Sequence, residues 1–220
     1  MKILFIGNSY TFFNDMPNLL ELLAKENGKR LTADSVTKGG RRLYENLRED
    51  DEHGARIKAL IGENDYDALI LQEQSFLAIV DYESFLGGIR DLVALVNAKR
   101  NILYATWGRK SGSEKLTELG LTSEEMTNKL TEAYISAAKR VKAEISHVGK
   151  TFLRISKDFP NIDIYKPDLS HPSYIGSVVA AICHYRTLFG EMPKSVDCFE
   201  LDSVPKTELL TVIAEALDEN

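Results

Sequence analysis

One serine and one aspartate–histidine pair, far apart in the sequence, have the residue types of a nucleophilic catalytic site. Ser9 lies in ILFIGNSYTFF (residues 3–13), just after an apolar, β-branched run that ends at Gly7. Asp168 and His171 lie in DLSHPS, near the other end of the chain. A serine hydroxyl can attack a carbonyl carbon when an imidazole takes its proton and a carboxylate fixes the imidazole tautomer. These residue types therefore predict acyl transfer, if the fold brings the two segments together.

Each of these residues also has an ordinary structural explanation. A serine at this position is most often a helix N-cap. His171, which precedes Pro172, can bond a nearby carbonyl group, and Asp168 can cap the following turn. The catalytic hypothesis therefore depends on the elements that would place these residues together.

Hydrophobic spacing predicts strands that alternate with helices. The predicted strands are residues 2–7, 30–37, 67–72 and 101–107, with a short fifth strand within 144–149. The predicted helices are residues 16–28, 43–61, 82–98, 123–144, 172–189 and 206–217, and residues 108–122 are predicted to be an exposed loop or a lid. This alternation predicts a parallel sheet covered on both faces, an α/β/α sandwich of three layers, in a single domain over residues 1–220.

In an open parallel sheet, sites form beyond the carboxyl ends of the strands. Polar and aromatic residues follow four predicted strands there: Asn8 and Ser9, Gly39 and Gly40, Gln72 to Ser75, and Trp107 and Arg109. Asp168 and His171 precede a late helix and are expected at the same edge. The topology therefore predicts that the serine, the histidine and the aspartate meet.

Composition excludes several classes of function. The 220 residues carry 27 basic and 33 acidic side chains, a net charge of −6, which does not suggest a nucleic-acid or anionic-membrane partner. No apolar stretch approaches the roughly 20 residues of a membrane span. Cys183 and Cys198 are interpreted as reduced thiols of a cytoplasmic protein, with one disulfide between them as the less favoured alternative. The four histidines show no H-E-x-x-H pattern, so a metal site is only a minor alternative. No cofactor is predicted.

Two familiar nucleophile and nucleotide motifs do not fit the first turn. An α/β-hydrolase elbow needs glycine two residues after the serine, where this chain has Thr11, and its nucleophile follows a later strand. A dinucleotide-binding turn needs two more glycines than GNSYTF provides.

Three segments resemble conserved blocks of the SGNH hydrolases, the GDSL-like esterase and lipase superfamily. FIGNSYT resembles block I, DLSHPSYIG resembles block V, and LQEQS resembles the third block of a bacterial branch near the carbohydrate and sialate acetylesterases. The resemblance implies a flavodoxin-like sheet of about five parallel strands. It also implies a serine esterase with Ser9 as nucleophile, His171 as base and Asp168 orienting the base.

The resemblance also implies an oxyanion hole. The Ser9 N–H and the block II glycine would donate to the oxyanion; that glycine is Gly40, with Gly39 as the alternative. The usual block III asparagine is absent, and a glutamine amide can donate in its place. We expect this donor to be Gln74, with Gln72 as the alternative.

The sequence says less about the substrate. Tyr10, Trp107 and Phe76 can stack on a sugar ring near the rim, or belong to the core or a lid. Arg109, with Lys110, can meet a substrate carboxylate or lie in a solvated loop. We expect the substrate to be a small acyl ester, in particular an acetyl ester, with an acetylated sugar as one candidate. The alternatives are a non-catalytic small-molecule or carbohydrate binding module on the same fold, and a nucleotide-binding flavodoxin-like protein, which the missing phosphate loop disfavours.

Overall fold

Five parallel strands form one sheet in the spatial order β2-β1-β3-β4-β5. The structure, a computed structural model, describes residues 1–48, 50–201 and 204–218. The strands are β1 (Lys2–Gly7), β2 (Thr32–Thr37), β3 (Ala68–Leu71), β4 (Arg100–Tyr104) and β5 (Glu144–Ser146). This order is the flavodoxin-like one, so the predicted fold class is confirmed.

Helices cover both faces of the sheet. They are α1 (Ser9–Phe12), α2 (Met16–Glu26), α3 (Glu52–Glu63), α4 (Leu77–Val80), α5 (Tyr82–Val96), α6 (Glu114–Leu119), α7 (Ser123–Val141), α8 (Val148–Asp158), α9 (Tyr174–Phe189) and α10 (Lys206–Asp218). Two 3-10 helices, Phe13–Asp15 and Leu43–Leu47, complete the elements of the described chain.

The alternation of side chains along β1 explains the three layers. Ile3 and Phe5 pack into the apolar cluster formed with α2, α8, α9 and α10. Leu4 and Ile6 pack into the opposite cluster, formed with α3, α5 and α7. Because successive side chains of a strand point to opposite faces, one buried strand supports both cores. The polar residues that follow it lie at the carboxyl edge, outside either core cluster.

The element predictions differ from the structure in several places. Strand β4 ends at Tyr104 rather than at residue 107, the short helices α1 and α4 were not predicted, and three longer segments differ as follows. The predicted helix over 43–61 is a 3-10 helix and α3, separated by a break that includes the undescribed residue 49. The predicted loop over 108–122 contains the six-residue helix α6 between Ser113 and Gly120, which has a left-handed backbone and ends it. Helix α8 was not predicted. Its apolar residues Val148, Phe152 and Ile155 have helical spacing, but Gly149 in its first turn has a low helix propensity.

Within the described ranges, no helix is long and apolar enough to cross a membrane. The same residues contain no group of three or more histidine, cysteine, aspartate or glutamate side chains placed to hold a metal ion. Cys183 is buried and Cys198 is exposed, and both are free thiols, so the alternative of a disulfide between them was wrong.

Candidate active site

The fold brings Ser9, His171 and Asp168 into one hydrogen-bonded chain. Nε2 of His171 lies 2.9 Å from Oγ of Ser9. Nδ1 of the same ring lies 2.6 Å from Oδ2 of Asp168. The His171 side chain is 28% exposed, so an incoming molecule can reach it. A hydroxyl, an imidazole and a carboxylate in this order can transfer the hydroxyl proton to the ring as the oxygen attacks.

The end of β1 sets the position of Ser9. Asn8 caps the short helix α1, and its Oδ1 accepts a hydrogen bond from the Tyr10 N–H at 3.3 Å. A Cβ at Gly7 would lie 2.7 Å from both Gln72 Oε1 and Thr11 Oγ1, so only glycine fits this close approach. Ser9 therefore begins α1 at the carboxyl edge of the sheet, and its own N–H donates to no group of the described chain.

Asp168 holds His171 through both of its oxygens. Oδ1 accepts from the backbone N–H groups of Ser170, at 3.0 Å, and His171, at 2.9 Å, while Oδ2 faces the ring. Burial raises the pKa of Asp168, but the hydrogen bonds from His171 and Ser170 outweigh it and leave the pKa below its usual value. The carboxylate therefore stays ionised at neutral pH and fixes Nδ1 as the protonated ring nitrogen.

The loop that carries the pair is held in a strained backbone conformation. Leu169 has a φ of 60°, in the left-handed region that leucine rarely adopts. Its N–H donates to the Lys166 carbonyl at 2.9 Å, and its own carbonyl accepts from the Lys110 N–H at 2.9 Å. The next carbonyl, that of Ser170, accepts from Nε1 of Trp107 at 3.0 Å. These bonds compensate for the strain and fix the direction of the neighbouring imidazole.

The imidazole packs between two aromatic rings. Phe13 stacks on His171 with ring centroids 4.4 Å apart, and Tyr10 contacts it edge-on at 5.6 Å. Phe12, which is 41% exposed, stacks in turn on Phe13 at 5.5 Å. The sequence analysis did not assign a role to Phe12 or Phe13, although their position directly after the nucleophile helix was a usable signal.

Tyr10 and Trp107 do not lie on a substrate-facing surface, so their assignment as substrate-stacking residues was wrong. Tyr10 is 3% and Trp107 0% exposed. The two rings stack at 4.5 Å, and Trp107 stacks on Phe152 at 4.0 Å. Burial raises the pKa of Tyr10, whose hydroxyl lies 2.8 Å from Ser170 Oγ. Both rings instead form the floor beneath the loop that carries His171.

Gln72 is also structural, and the alternative that it donates to an oxyanion was wrong. It is fully buried, and Oε1 accepts from the Asn8 N–H at 2.8 Å and from the Thr11 hydroxyl at 3.0 Å. Nε2 donates to Asn8 Oδ1 at 3.0 Å and to the Glu73 carbonyl. Both hydrogens of the amide are thus already used. Strand β3 ends at Leu71, so the strand alternation that would make positions 72 and 74 equivalent does not apply.

Gln74 is half-buried and weakly held. Among the described residues, its Nε2 donates only to Ser75 Oγ, at 3.3 Å, and its Oε1 accepts from the Phe76 N–H at 3.3 Å. Ser75 Oγ also accepts from Nη2 of Arg109 at 3.2 Å. The amide group of Gln74 can therefore turn toward a ligand at a small energetic cost.

The glycine loop after β2 contacts the same turn. Gly40 is exposed with a φ of 69°, and Gly39 is exposed beside it. Nδ2 of Asn8 donates to the carbonyl of Arg41 at 3.1 Å, which ties this loop to the residue before the nucleophile. The loop that carries both candidate glycines therefore lies against the Asn8–Ser9 turn.

Glu73 is a buried carboxyl group that the sequence analysis did not assign. It is 0% exposed, and its oxygens accept from the Gln74 N–H at 2.6 Å and from the Leu43 N–H at 3.1 Å. Burial raises the pKa of Glu73 to about 8, although these two hydrogen bonds act in the opposite direction. Glu73 links the turn that carries Gln74 to the segment that follows the glycine loop.

Comparison with known proteins gives matches at the level of structure. No protein-family model matches the sequence, and a search of curated proteins found no match. A proposed SGNH hydrolase from Slackia heliotrinireducens superposes with a TM-score of 0.74 at 29% identity, over 86% of this chain and 98% of the other.

Two further structures share the fold at lower identity. A DUF4886 family protein from Bacteroides uniformis has a TM-score of 0.81 at 18% identity, over 99% of this chain and 94% of the other. A variant of an acetylxylan esterase from Geobacillus stearothermophilus has a TM-score of 0.60 at 17% identity, over 88% of this chain and 96% of the other. The fold and these likenesses support the resemblance to the SGNH, or GDSL-like, hydrolase superfamily that the sequence motifs indicate.

Proposed function

We propose that this chain is a serine ester hydrolase that cleaves small acyl esters, acetyl esters in particular. The single observation that carries the proposal is the chain of contacts from Ser9 Oγ to His171 Nε2, 2.9 Å, and from His171 Nδ1 to Asp168 Oδ2, 2.6 Å. The structural likeness to esterases, among them enzymes that act on acetylated xylan and xylooligosaccharides, supports the acetyl ester as substrate.

The first half-reaction forms an acyl-enzyme. Ser9 Oγ attacks the ester carbonyl while His171 Nε2 takes the hydroxyl proton, and the carbonyl oxygen becomes an oxyanion. When the tetrahedral intermediate collapses, the carbon–oxygen bond to the alcohol breaks and His171 gives that proton to the leaving oxygen. Asp168 stays ionised throughout and stabilises the imidazolium.

The second half-reaction returns the free enzyme. Water attacks the acyl carbon as His171 takes one of its protons, and the carboxylic acid leaves as the proton returns to Ser9 Oγ. In both halves the oxyanion would accept hydrogen bonds from the N–H groups of Ser9 and Gly40 and from the Gln74 amide. In support of this, within the described part of the chain the Ser9 N–H donates to no group, and the Gln74 amide donates to one acceptor, at 3.3 Å.

The test is labelling with a fluorophosphonate, followed by peptide mass analysis. A serine hydrolase is expected to gain one phosphonyl group on Ser9, and the S9A and H171A variants are expected to gain none. A binding module on the same fold would remain unlabelled, and that result would reject the proposal. Hydrolysis of 4-nitrophenyl esters from acetate to octanoate then measures acyl length, for which we expect kcat/KM to be highest with acetate.

A further inference from the structure

Glu73 joins the two segments that carry the proposed oxyanion donors beyond Ser9. Its Oε1 accepts from the Gln74 N–H at 2.6 Å and from the Leu43 N–H at 3.1 Å. Gln74 is the proposed side-chain donor, and Leu43 lies three residues after Gly40, the proposed backbone donor. One carboxyl oxygen therefore connects the turn after β3 to the glycine loop after β2, as a supporting contact behind both donors.

The glycine loop is held on both sides of Gly40. The Lys38 carbonyl accepts from the Arg41 N–H at 3.1 Å, which closes a four-residue turn with Gly40, at a φ of 69°, in its third position. The Arg41 carbonyl accepts from Asn8 Nδ2 at 3.1 Å, and Glu73 binds the chain two residues later. Within the described chain no group accepts from the Gly40 N–H, so this donor is available to a ligand.

The core fixes Glu73 itself. Its side chain is fully buried, its N–H donates to the hydroxyl of Tyr134 on α7 at 3.3 Å, and its carbonyl accepts from Nε2 of Gln72. Gln72 in turn accepts from the N–H of Asn8, the residue before the nucleophile, at 2.8 Å. The carboxyl group is therefore anchored independently of the glycine loop and can act as a fixed point for it.

The charge of Glu73 matters because the carboxyl group binds the backbone of a proposed oxyanion donor. Within the described residues no cation forms an ion pair with it, and the titratable groups that face it are Arg42, Glu45 and Tyr134. Burial raises the pKa of Glu73 to about 8, so the carboxyl group is protonated at pH 7 and accepts both N–H groups without a negative charge. Once ionised, it would place a negative charge beside Gln74 and oppose the developing oxyanion, since like charges repel strongly in a water-poor site.

We propose that Glu73 is the positioning residue of the oxyanion hole: its protonated carboxyl group holds the Gly40 loop and the Gln74 turn in place, and loss of that proton slows the reaction. The proposal rests on the proposed function, since Glu73 touches neither the substrate nor the reacting atoms and acts only through the two donors. It predicts that kcat, rather than KM, depends on Glu73, because the oxyanion forms only after the attack on the carbonyl carbon.

The experiment measures kcat and KM for phenyl acetate, corrected for the reaction with hydroxide, at intervals from pH 7 to pH 9.5. Circular dichroism at each pH gives the folded fraction, to which kcat is normalised. For the unchanged protein we expect kcat to fall about tenfold over this range, with a midpoint near pH 8. E73Q, whose amide oxygen can accept from the same two N–H groups, is expected to keep kcat at pH 7 within about threefold and to show no such decline. E73A, which removes the acceptor, is expected to lower kcat at pH 7 about 30-fold and to change KM less than about twofold.

E45Q is the matched control, because Glu45 accepts from an N–H of the same segment, that of Arg42 at 2.7 Å, but through a solvent-exposed hydrogen bond. Its kcat at each pH is expected to stay within about twofold of that of the unchanged protein, because exposed charges are screened. An alkaline decline of the same size in E73Q, or a kcat of E73A equal to that of the unchanged protein, overturns the positioning role, while Ser9-dependent hydrolysis leaves the esterase proposal intact. If E73A does not fold, the pH profile of E73Q alone decides.

If the unchanged protein hydrolyses no ester, the esterase proposal fails, and NMR decides whether Glu73 controls the two segments. We expect the carbon-13 shifts of Gly40 Cα and Gln74 Cδ to titrate together in the unchanged protein, with a midpoint near pH 8, and to stay constant in E73Q. Shifts that do not titrate, or that titrate equally in E73Q, overturn the role of Glu73.

Discussion

At the residue scale, the contacts of Ser9, His171 and Asp168 predict strongly non-additive mutations. S9A and H171A are each expected to lower kcat by 10³-fold or more. The kcat of the double variant is expected to lie within about threefold of that of either single variant, because removing one of two residues that act in the same step already abolishes the contribution of both. Steady-state kinetics of the three variants on 4-nitrophenyl acetate measures this. Losses that multiply in the double variant would mean that the two residues do not share a step.

The two glutamines of LQEQS are expected to have opposite phenotypes. Q74A removes a side chain with one weak amide bond, so we expect kcat to fall about 10²-fold with little change in KM or in melting temperature. Q72A leaves the Asn8 N–H and the Thr11 hydroxyl without a partner in the core, so we expect it to lower the free energy of unfolding by about 3 kcal/mol.

Thermal unfolding and kinetics of both glutamine variants test this assignment. Q74A with full kcat would remove Gln74 from the oxyanion hole, and a Q72A protein as stable as the unchanged chain would contradict the structural role. The sequence alone could not show that Gln72 and Gln74 have different roles. The two side chains would point the same way only if β3 continued past them, and the end of β3 at Leu71 is set by tertiary contacts.

At the scale of elements, Glu73 connects the turn after β3 to the segment that follows the glycine loop. Its pKa of about 8 lies above the value near 4.5 that it has when unfolded, so between these values folding takes up a proton. This contribution to stability is complete below about pH 4.5 and is lost as the pH rises through 8. The charges that face the carboxyl group belong to Arg42 and Glu45, and Tyr134 contacts its backbone.

E73Q imitates the protonated side chain and removes this titration. We expect the unfolding free energy of the unchanged protein, relative to that of E73Q, to fall by on the order of 3 kcal/mol between pH 5 and pH 9. Urea unfolding of both proteins at intervals of one pH unit measures the difference. A difference that does not change with pH would show that Glu73 titrates near its ordinary value in the folded protein.

Most long elements with a clear apolar face were predictable from the sequence, whereas the short helices and α8 were not. β1 and β3 are apolar runs, and their alternation with helices predicts the parallel, three-layer sheet, whereas the flavodoxin-like arrangement of five strands was implied by the motif resemblance. Helix α6 depends on local capping, and Gly149 of α8 is required because a Cβ there would lie 2.1 Å from the Thr106 carbonyl oxygen. Such a tertiary requirement leaves no periodic signal in the sequence.

The site was predictable to the extent that topology determines it. Parallel strands place their carboxyl ends at one edge, so the meeting of Ser9 with His171 follows from the element order. The element order does not determine the directions in which side chains beyond the strand ends point. For this reason Tyr10 and Trp107 were expected at the rim, although they are buried. A residue such as Phe13, whose role depends on its contact with His171, can be identified only once the three-dimensional positions of the loops are known.

At the scale of the whole molecule, Trp107 can report whether residues 1–220 unfold as the single domain that the sequence predicts. It is the only tryptophan and is fully buried between Tyr10 and Phe152, beneath the loop that carries His171. The two core clusters share the buried strands of one sheet, so neither keeps its packing when the sheet is lost. We therefore expect fluorescence, far-ultraviolet circular dichroism and esterase activity to be lost in one coincident urea transition. Loss of tryptophan fluorescence and activity at a lower urea concentration than loss of helical signal would instead assign the site loops and the sheet to separate cooperative units.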